Sequence, residues 1–246
     1  MLTVISFFVV ALAAAAIASV AGFGAATMTV PFLAWIIGIK QAIIVIAFFH
    51  LFSNMFKLLQ LRRSVALRPL LLYGVPSVAT AVAGAYLLDV VAPESIGLGV
   101  AVFLILFALY TFINPSWKLP EKGYILVSGG LVSGFTAGLI GLGGAIRGAF
   151  LIVTTVRKET YVATSAAIAL GTDIARCTIY VVRGSLDPAY YWYIPVLFVV
   201  GFIGTRLGVR FLKRLPEKAV KSVVLVLLVL AAASFILGYL DVIPVS

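Results

Sequence analysis

The chain has 246 residues, of which 63% are hydrophobic and 11% are charged, whereas a soluble domain of this size has roughly 45–50% apolar residues. This excess excludes an ordinary soluble globular protein, and at about 20 apolar residues per crossing it suffices for roughly seven or eight membrane spans. The net charge of +10 lies mainly in short loops, a pattern that indicates membrane orientation and excludes a nucleic-acid-binding surface.

Hydrophobic segments, separated by glycine, proline and charge clusters, follow one another along the whole chain. We predict that they are helical, so the fold is all-α and polytopic. The first lacks the positively charged start of a cleaved signal peptide and is expected to be retained. The ten segments are 2–20, 23–37, 41–60, 68–90, 94–113, 122–140, 143–156, 159–182, 188–213 and 217–240.

Two of these segments, 23–37 and 143–156, are too short to cross a hydrocarbon core of about 30 Å without tilt. A glycine break precedes each of them, with no polar loop between the break and the segment before it. The breaks are Gly22-Phe23-Gly24 and Gly141-Leu142-Gly143-Gly144. This pattern predicts one short broken helix in each half of the chain.

The two halves also resemble each other. A shift of 119 residues aligns Gly22 with Gly141, Gly24 with Gly143, Lys40 with Glu159, Asn54 with Asp173 and Lys57 with Arg176. We therefore predict two repeats, residues 1–117 and 118–246, each with five segments. Because five is odd, the second repeat enters the membrane from the side opposite to the first, which gives the inverted topology of many secondary transporters.

The distribution of Lys and Arg predicts the orientation. Placing Arg62, Arg63 and Arg68 in the cytoplasm puts most other loop cations there, and leaves Lys40 and Arg183 outside. Both termini are then extracytoplasmic, and the protein is expected to be a multi-pass protein of the cell inner membrane.

A glycine-broken helix at membrane depth is tolerated where it lines a cavity or is buried in protein. We expect both breaks to face one cavity, with two helix amino ends directed at an anion. Glycine permits positive φ and close approach of the backbone to a ligand. Tight helix packing through small residues is the alternative explanation of these glycines.

Polar side chains near the breaks complete the predicted substrate site. Arg147 can offer its guanidinium to an oxyanion, or it can extend to the membrane interface. Hydroxyl groups can donate to an oxyanion, although they also cap and back-bond within membrane helices. The hydroxyls that we assign to substrate binding are those of Thr27, Thr164 and Ser165, beside Gly22, Gly24, Gly141, Gly143 and Gly144.

Further polar residues share one helix face in each half. His50, Asn54 and Lys57 follow at i, i+4 and i+7, and Asp173 and Arg176 occupy the equivalent face of the second half. Such residues are expected to face protein or water, and Asp173 can pair with Arg176. His50 and Asp173 are candidates for proton coupling, with a purely structural role as the alternative for both.

No catalytic constellation or nucleotide-binding motif is present in the sequence, so we predict neither an enzyme nor an ATP-driven pump. A single Cys and a single His cannot form a metal centre, and no cofactor is expected.

The glycine motifs resemble those of the TauE/SafE family of sulfite and organosulfonate exporters, and the resemblance covers nearly the whole chain. It rests on Ala21-Gly22-Phe23-Gly24, Val30-Pro31-Phe32-Leu33, the run from Ser133 to Gly144, and Tyr161-Val162-Ala163-Thr164-Ser165. The chain departs from the family pattern where Ala25-Ala26 follows the first break, and where the second short helix has Arg147 but no proline equivalent to Pro31.

The resemblance implies a carrier that moves small sulfur-containing or carboxylic anions such as sulfite or sulfonates, driven by an ion or potential gradient. The predicted partners are therefore the small anion and the lipid bilayer, and a homodimer is left open. Alternating access would arise from rocking of one half against the other. An anion channel and a membrane protein without a transport role are the alternatives.

Overall fold

A computed structural model describes residues 2–88, 90, 102, 105–106, 109–110, 113–114, 122–152 and 157–239. These residues form helices and no strands. We number the helices α1 (Leu2–Ala21), α2 (Ala25–Ile37), α3 (Ile39–Leu61), α4 (Leu67–Leu87), α5 (Gly123–Ile140), α6 (Gly143–Ile152), α7 (Lys158–Val182), α8 (Tyr193–Arg214) and α9 (Glu217–Tyr239).

Six of the described helices, α1, α3, α4, α5, α7 and α8, are long and apolar enough to cross a membrane. The prediction of an all-α membrane protein is therefore confirmed for the described residues. The predicted segment 94–113 lies largely outside them, as do residues 153–156 at the end of the predicted segment 143–156. The division at residues 117 and 118 stays a prediction.

The short helices α2 and α6 have 13 and 10 residues. At 1.5 Å per residue these helices extend only about 20 and 15 Å, less than a membrane thickness. Three glycines with positive φ produce the breaks before them: Gly22 at 78°, Gly24 at 106° and Gly141 at 76°. The left-handed backbone stops the preceding helix, and the next helix then starts in a new direction.

The end of α5 shows how a left-handed glycine ends a helix. The N–H of Gly141 donates to Ala137 O over 3.2 Å, and the N–H of Leu142 donates to Thr136 O over 3.3 Å. The first is the 5→1 bond of the αL motif, and the two bonds together satisfy carbonyl groups near the end of α5 at a left-handed glycine. Helix α6 begins immediately afterwards at Gly143.

Long helices pack in close pairs. Helix α4 lies against α5, α1 lies against α8, and α3 lies against both α7 and α8. Glycines on α5 allow the backbones of α4 and α5 to touch. A Cβ atom at Gly134 would lie 1.9 Å from the carbonyl oxygen of Ser77. Gly130 and Gly138 meet the carbonyl groups of Tyr73 and Ala81 in the same way. At these three positions the glycines of α5 serve helix packing.

Gly134→Ala is expected to lower the free energy of unfolding by at least about 2 kcal/mol, because the added methyl group must push the α4 backbone away. The matched control is Gly123→Ala on the same helix, where a Cβ atom would meet only Leu72 at 3.9 Å. Unfolding in mixed detergent micelles measures both. Equal stabilities of the two variants would contradict this account of the α4–α5 contact.

Candidate functional site

Residues from both glycine breaks line one cavity. Gly22 and Gly24 border it from the first break, and Gly144 borders it from the second. The first turns of α2 and α6 thus meet at the same cavity, although the two breaks are far apart in the sequence. A helix amino end carries about half a positive charge, so two of them favour an anion between them.

Two buried cations also line this cavity. Lys57 on α3 is 3% exposed and Arg147 on α6 is 4% exposed. Neither forms an ion pair with a described carboxylate, and Lys57 Nζ makes no hydrogen bond to a described residue. Cations buried without a counter-charge are costly at membrane depth. The cavity therefore presents an excess of positive charge on two side chains of different type.

Arg147 is held by a chain of hydrogen bonds that links the second break to the first. Its Nε donates to Ser165 Oγ over 2.9 Å, and Ser165 Oγ donates to the carbonyl oxygen of Gly22 over 2.9 Å. Next to this chain, Tyr161 OH donates to Ala21 O over 2.7 Å. Two hydroxyls of α7 thereby fix the carbonyl groups at the end of α1, and they orient Arg147 at the cavity.

The α3 side of the cavity carries two polar atoms with no hydrogen bond to any described group. They are His50 Nε2 and Ser53 Oγ, and both atoms are buried. Buried polar atoms are nearly always paired with protein or water, so an unpaired set at a cavity indicates room for a ligand or water. Both atoms can bond to an oxyanion that enters the cavity when they carry a hydrogen.

A second polar cluster adjoins the cavity through Asn54, which is one of the cavity's lining residues. Asp173 and Arg176 form the ion pair that their spacing predicts, with Arg176 Nη2 at 2.8 Å from Asp173 Oδ1. Asn54 Nδ2 donates to Asp173 Oδ2 over 2.8 Å, and Arg176 Nη1 donates to Ala137 O over 2.9 Å. The direct ion pair of Asp173 is thus with Arg176, and neither Lys57 nor Arg147 forms one with it.

The remaining predicted site residues have other surroundings. Thr164 Oγ1 accepts a hydrogen bond from Ala66 N over 2.9 Å and so ties the loop after α3 to α7. Gly141 lies beside Arg176, and the Gly143 carbonyl accepts a hydrogen bond from Ser133 Oγ over 2.8 Å. Neither Gly141, Gly143, Thr164 nor Ser165 borders the cavity itself. The side chain of Thr27 lies outside the described part of the structure. Roles of these residues in substrate binding stay predictions.

The cavity is small in this conformation. It has about 10 Å³ of space for the centre of a water-sized sphere, which is roughly what one water molecule requires. An oxyanion with four or more heavy atoms needs more room than this conformation provides.

Some of these contacts had no signal in the sequence. Lys57 was predicted only as part of a polar helix face, yet it borders the cavity as Arg147 does. The bridging role of Ser165 depends on contacts between residues more than 140 positions apart, and nothing local indicates them. Among the described residues, no group of three His, Cys, Asp or Glu side chains is placed to hold a metal ion.

Gly22→Ala is expected to destabilise the protein more than Gly184→Ala does. Both residues have positive φ, 78° and 61°, so both variants incur the backbone strain of positive φ, roughly 1–2 kcal/mol. A Cβ atom at Gly22 would in addition lie 2.9 Å from the Tyr161 ring, whereas one at Gly184 meets nothing within 4 Å. We expect an extra loss of about 1–3 kcal/mol, measured by unfolding in detergent. Equal losses would show that the turn at Gly22 has space for a side chain.

The family described as Sulfite exporter TauE/SafE matches the chain over residues 7–235, which confirms the resemblance of the glycine motifs. No curated protein and no solved structure matches the chain.

Proposed function

Because the chain belongs to the TauE/SafE sulfite exporter family, we propose that it is a secondary exporter of small sulfur-containing or carboxylic anions such as sulfite and sulfonates. The observation that carries this proposal is the cavity bordered by both glycine breaks. Two helix amino ends, Lys57 and Arg147 surround it, and no described Asp or Glu borders it. An anion is the solute whose charge offsets this arrangement.

The proposed binding mode uses each group for one task. The first turns of α2 and α6 supply backbone N–H groups and partial positive charge. Arg147 supplies a planar guanidinium whose Nε is already occupied by Ser165, so its terminal nitrogens are left for the anion. Lys57 supplies a compact charge from α3, and the unpaired hydroxyl of Ser53 is available to donate to an oxyanion.

We propose inverted repeats as the architecture behind this site, and contacts between equivalent residues support that proposal. Asn54 and Asp173, which are equivalent under the shift of 119 residues, hydrogen bond to each other. Residues related by a two-fold axis can touch only close to that axis, so the axis would pass between α3 and α7 beside the cavity.

The direction of α3 and α7 supports opposite orientations of the halves. Gln41 near the start of α3 donates to Ser185 O after the end of α7. Asn54 meets Asp173 in the middle of both helices, and Ala66 after α3 meets Thr164 near the start of α7. One residue number rises as the other falls, so these equivalent helices are antiparallel, as inverted repeats require.

Helix pairs correspond in the same manner. Under the shift, α1 is equivalent to α5 and α4 is equivalent to α8. The close α4–α5 pair thus has its counterpart in the α8–α1 pair, and glycines permit backbone contact in both. Two similar bodies that share one central site are the arrangement that rocks between outward-open and inward-open forms in secondary transporters.

Transport by purified protein in liposomes tests the proposal. Liposomes loaded with labelled sulfite should release it at a rate that saturates with concentration and rises when unlabelled sulfite is added outside. Protein-free liposomes and liposomes with Arg147→Gln are the controls. Flux that never saturates and shows no counter-transport would indicate a channel. Absence of protein-dependent flux with sulfite, sulfonates and carboxylates would refute the proposal.

A thermal-shift panel of sulfite, sulfate, sulfonates and carboxylates narrows the substrate class. A ligand that binds only the folded protein raises Tm by mass action, so the anion that gives the largest shift in Tm identifies the preferred anionic group.

A further inference from the structure

A second site lies on the outer surface of α3 and α8, outside the proposed transport cavity. A groove of about 390 Å³ runs between these helices. Its basic part is formed by Arg206, Arg210 and Lys213, and its apolar part by Phe56, Leu59 and Phe202. We call it the basic groove. Most of these side chains are exposed, in contrast to the buried cations of the cavity.

The three cations form one continuous face of α8. They occupy positions i, i+4 and i+7, which bring side chains to the same side of a helix. Arg206 lies eight residues before the end of α8 at Arg214, which places it about 12 Å inside the end of this membrane-length helix. A guanidinium on the outer surface of a membrane span at that depth requires an anion or water.

The protein supplies no such anion in the described part of the chain. None of the three cations forms an ion pair with a described carboxylate. The Arg206 guanidinium lies over the Phe202 ring at 5.9 Å, which orients it but leaves its charge in place. The basic groove thus carries three positive charges whose counter-ion is not among the described residues.

The apolar part of the basic groove continues into an aromatic surface. Phe56 packs edge-on against Phe198 and Phe202, with ring centroids 5.2 and 5.1 Å apart. Phe198 and Phe202 are 41% and 42% exposed and lie on a helix long and apolar enough to span a membrane, so in a bilayer they would contact acyl chains. A molecule that fits the whole groove therefore has an anionic head and an apolar tail.

We propose that the basic groove binds an anionic phospholipid, with its phosphate on Arg206, Arg210 and Lys213 and its acyl chains along the phenylalanine surface. Basic pockets between membrane helices bind such headgroups, and Arg forms paired hydrogen bonds with phosphate oxygens. A free inorganic anion satisfies only the basic part of the groove, so the lipid is the occupant that the groove as a whole fits.

Native mass spectrometry of the purified full chain tests this site. The protein is mixed with phosphatidylglycerol or phosphatidylcholine of identical acyl chains, and bound lipid is counted. We expect phosphatidylglycerol to bind at least about tenfold more tightly, and the variant Arg206→Gln/Arg210→Gln/Lys213→Gln to lose that preference. The control Arg157→Gln/Arg214→Gln/Lys218→Gln removes the same charge from exposed positions outside the groove and should retain it.

Three results would overturn the proposal: retention of the preference by the groove variant, an equal loss in the control, or displacement of the lipid by millimolar inorganic phosphate. If the groove variant does not fold, Phe202→Trp leaves all three cations in place. Brominated phosphatidylglycerol should then quench the added tryptophan more strongly than brominated phosphatidylcholine does, and equal quenching would refute the site.

Discussion

Asp173→Asn is expected to lower the free energy of unfolding by about 3–5 kcal/mol, because it leaves the Arg176 guanidinium buried without a counter-charge. Arg176 is 2% exposed and donates from two nitrogens to Asp173 Oδ1. The new amide can accept from Arg176 or from Asn54, but its own NH₂ group then faces the other donor. The loss therefore combines an uncompensated charge with a broken hydrogen bond.

Unfolding of the variants in detergent measures this effect. Asp187→Asn is the matched control, since it makes the same chemical change at an exposed carboxylate that accepts one bond from Ala189 N. Its expected cost is about 1 kcal/mol or less. The double variant Asp173→Asn/Arg176→Gln removes both charges and should recover much of the loss. A cost at Asp173 no larger than at Asp187 would contradict the central role of the buried pair.

Arg147→Gln is expected to reduce anion efflux at least about tenfold, the equivalent of one lost charge-assisted hydrogen bond. The thermal stability of the folded protein should not fall along with efflux. Because Arg147 is buried without a carboxylate partner, its removal relieves a desolvation cost, and Tm should stay equal or rise. A transport defect combined with unimpaired stability is what a substrate-binding residue produces and a structural residue does not.

Two companion variants separate the roles of this side chain. Ser165→Ala keeps the Arg147 charge but removes the bridge to Gly22, so it should reduce efflux less than Arg147→Gln does. Arg157→Gln removes an exposed cation that does not border the cavity and should leave efflux unchanged. Efflux of Arg147→Gln at the level of Arg157→Gln would exclude Arg147 from the binding site.

The sequence predicted those features of the fold that local chemistry determines. Continuous apolar runs predicted the membrane helices, because hydrocarbon leaves no other way to satisfy the backbone. Glycines at the breaks predicted the turns, and Gly22, Gly24 and Gly141 indeed have positive φ. The i, i+3 spacing of Asp173 and Arg176 predicted their ion pair, since both ends of that contact belong to one helix.

Contacts between distant helices were beyond such prediction. Nothing around Ser165 distinguishes a bridge to Gly22 from a bond within its own helix, because a hydroxyl accepts either partner at similar energy. Lys57 was predicted on the same face as Asn54, but the sequence does not show that Asn54 bonds to Asp173 while Lys57 forms no ion pair with it. Gly130 and Gly134 lie in a glycine-rich stretch, as the break glycines do, yet they pack against α4.

The narrow cavity would affect which anions bind, if it is the transport site that we propose. The lining groups lie so close together that a bound anion would have to shed most of its hydration shell. Only the guanidinium, ammonium, hydroxyl and backbone N–H groups already in place can replace those lost water contacts. Selection then follows the cost of dehydration as well as shape: of two anions with equal charge and similar size, the more weakly hydrated one enters more readily.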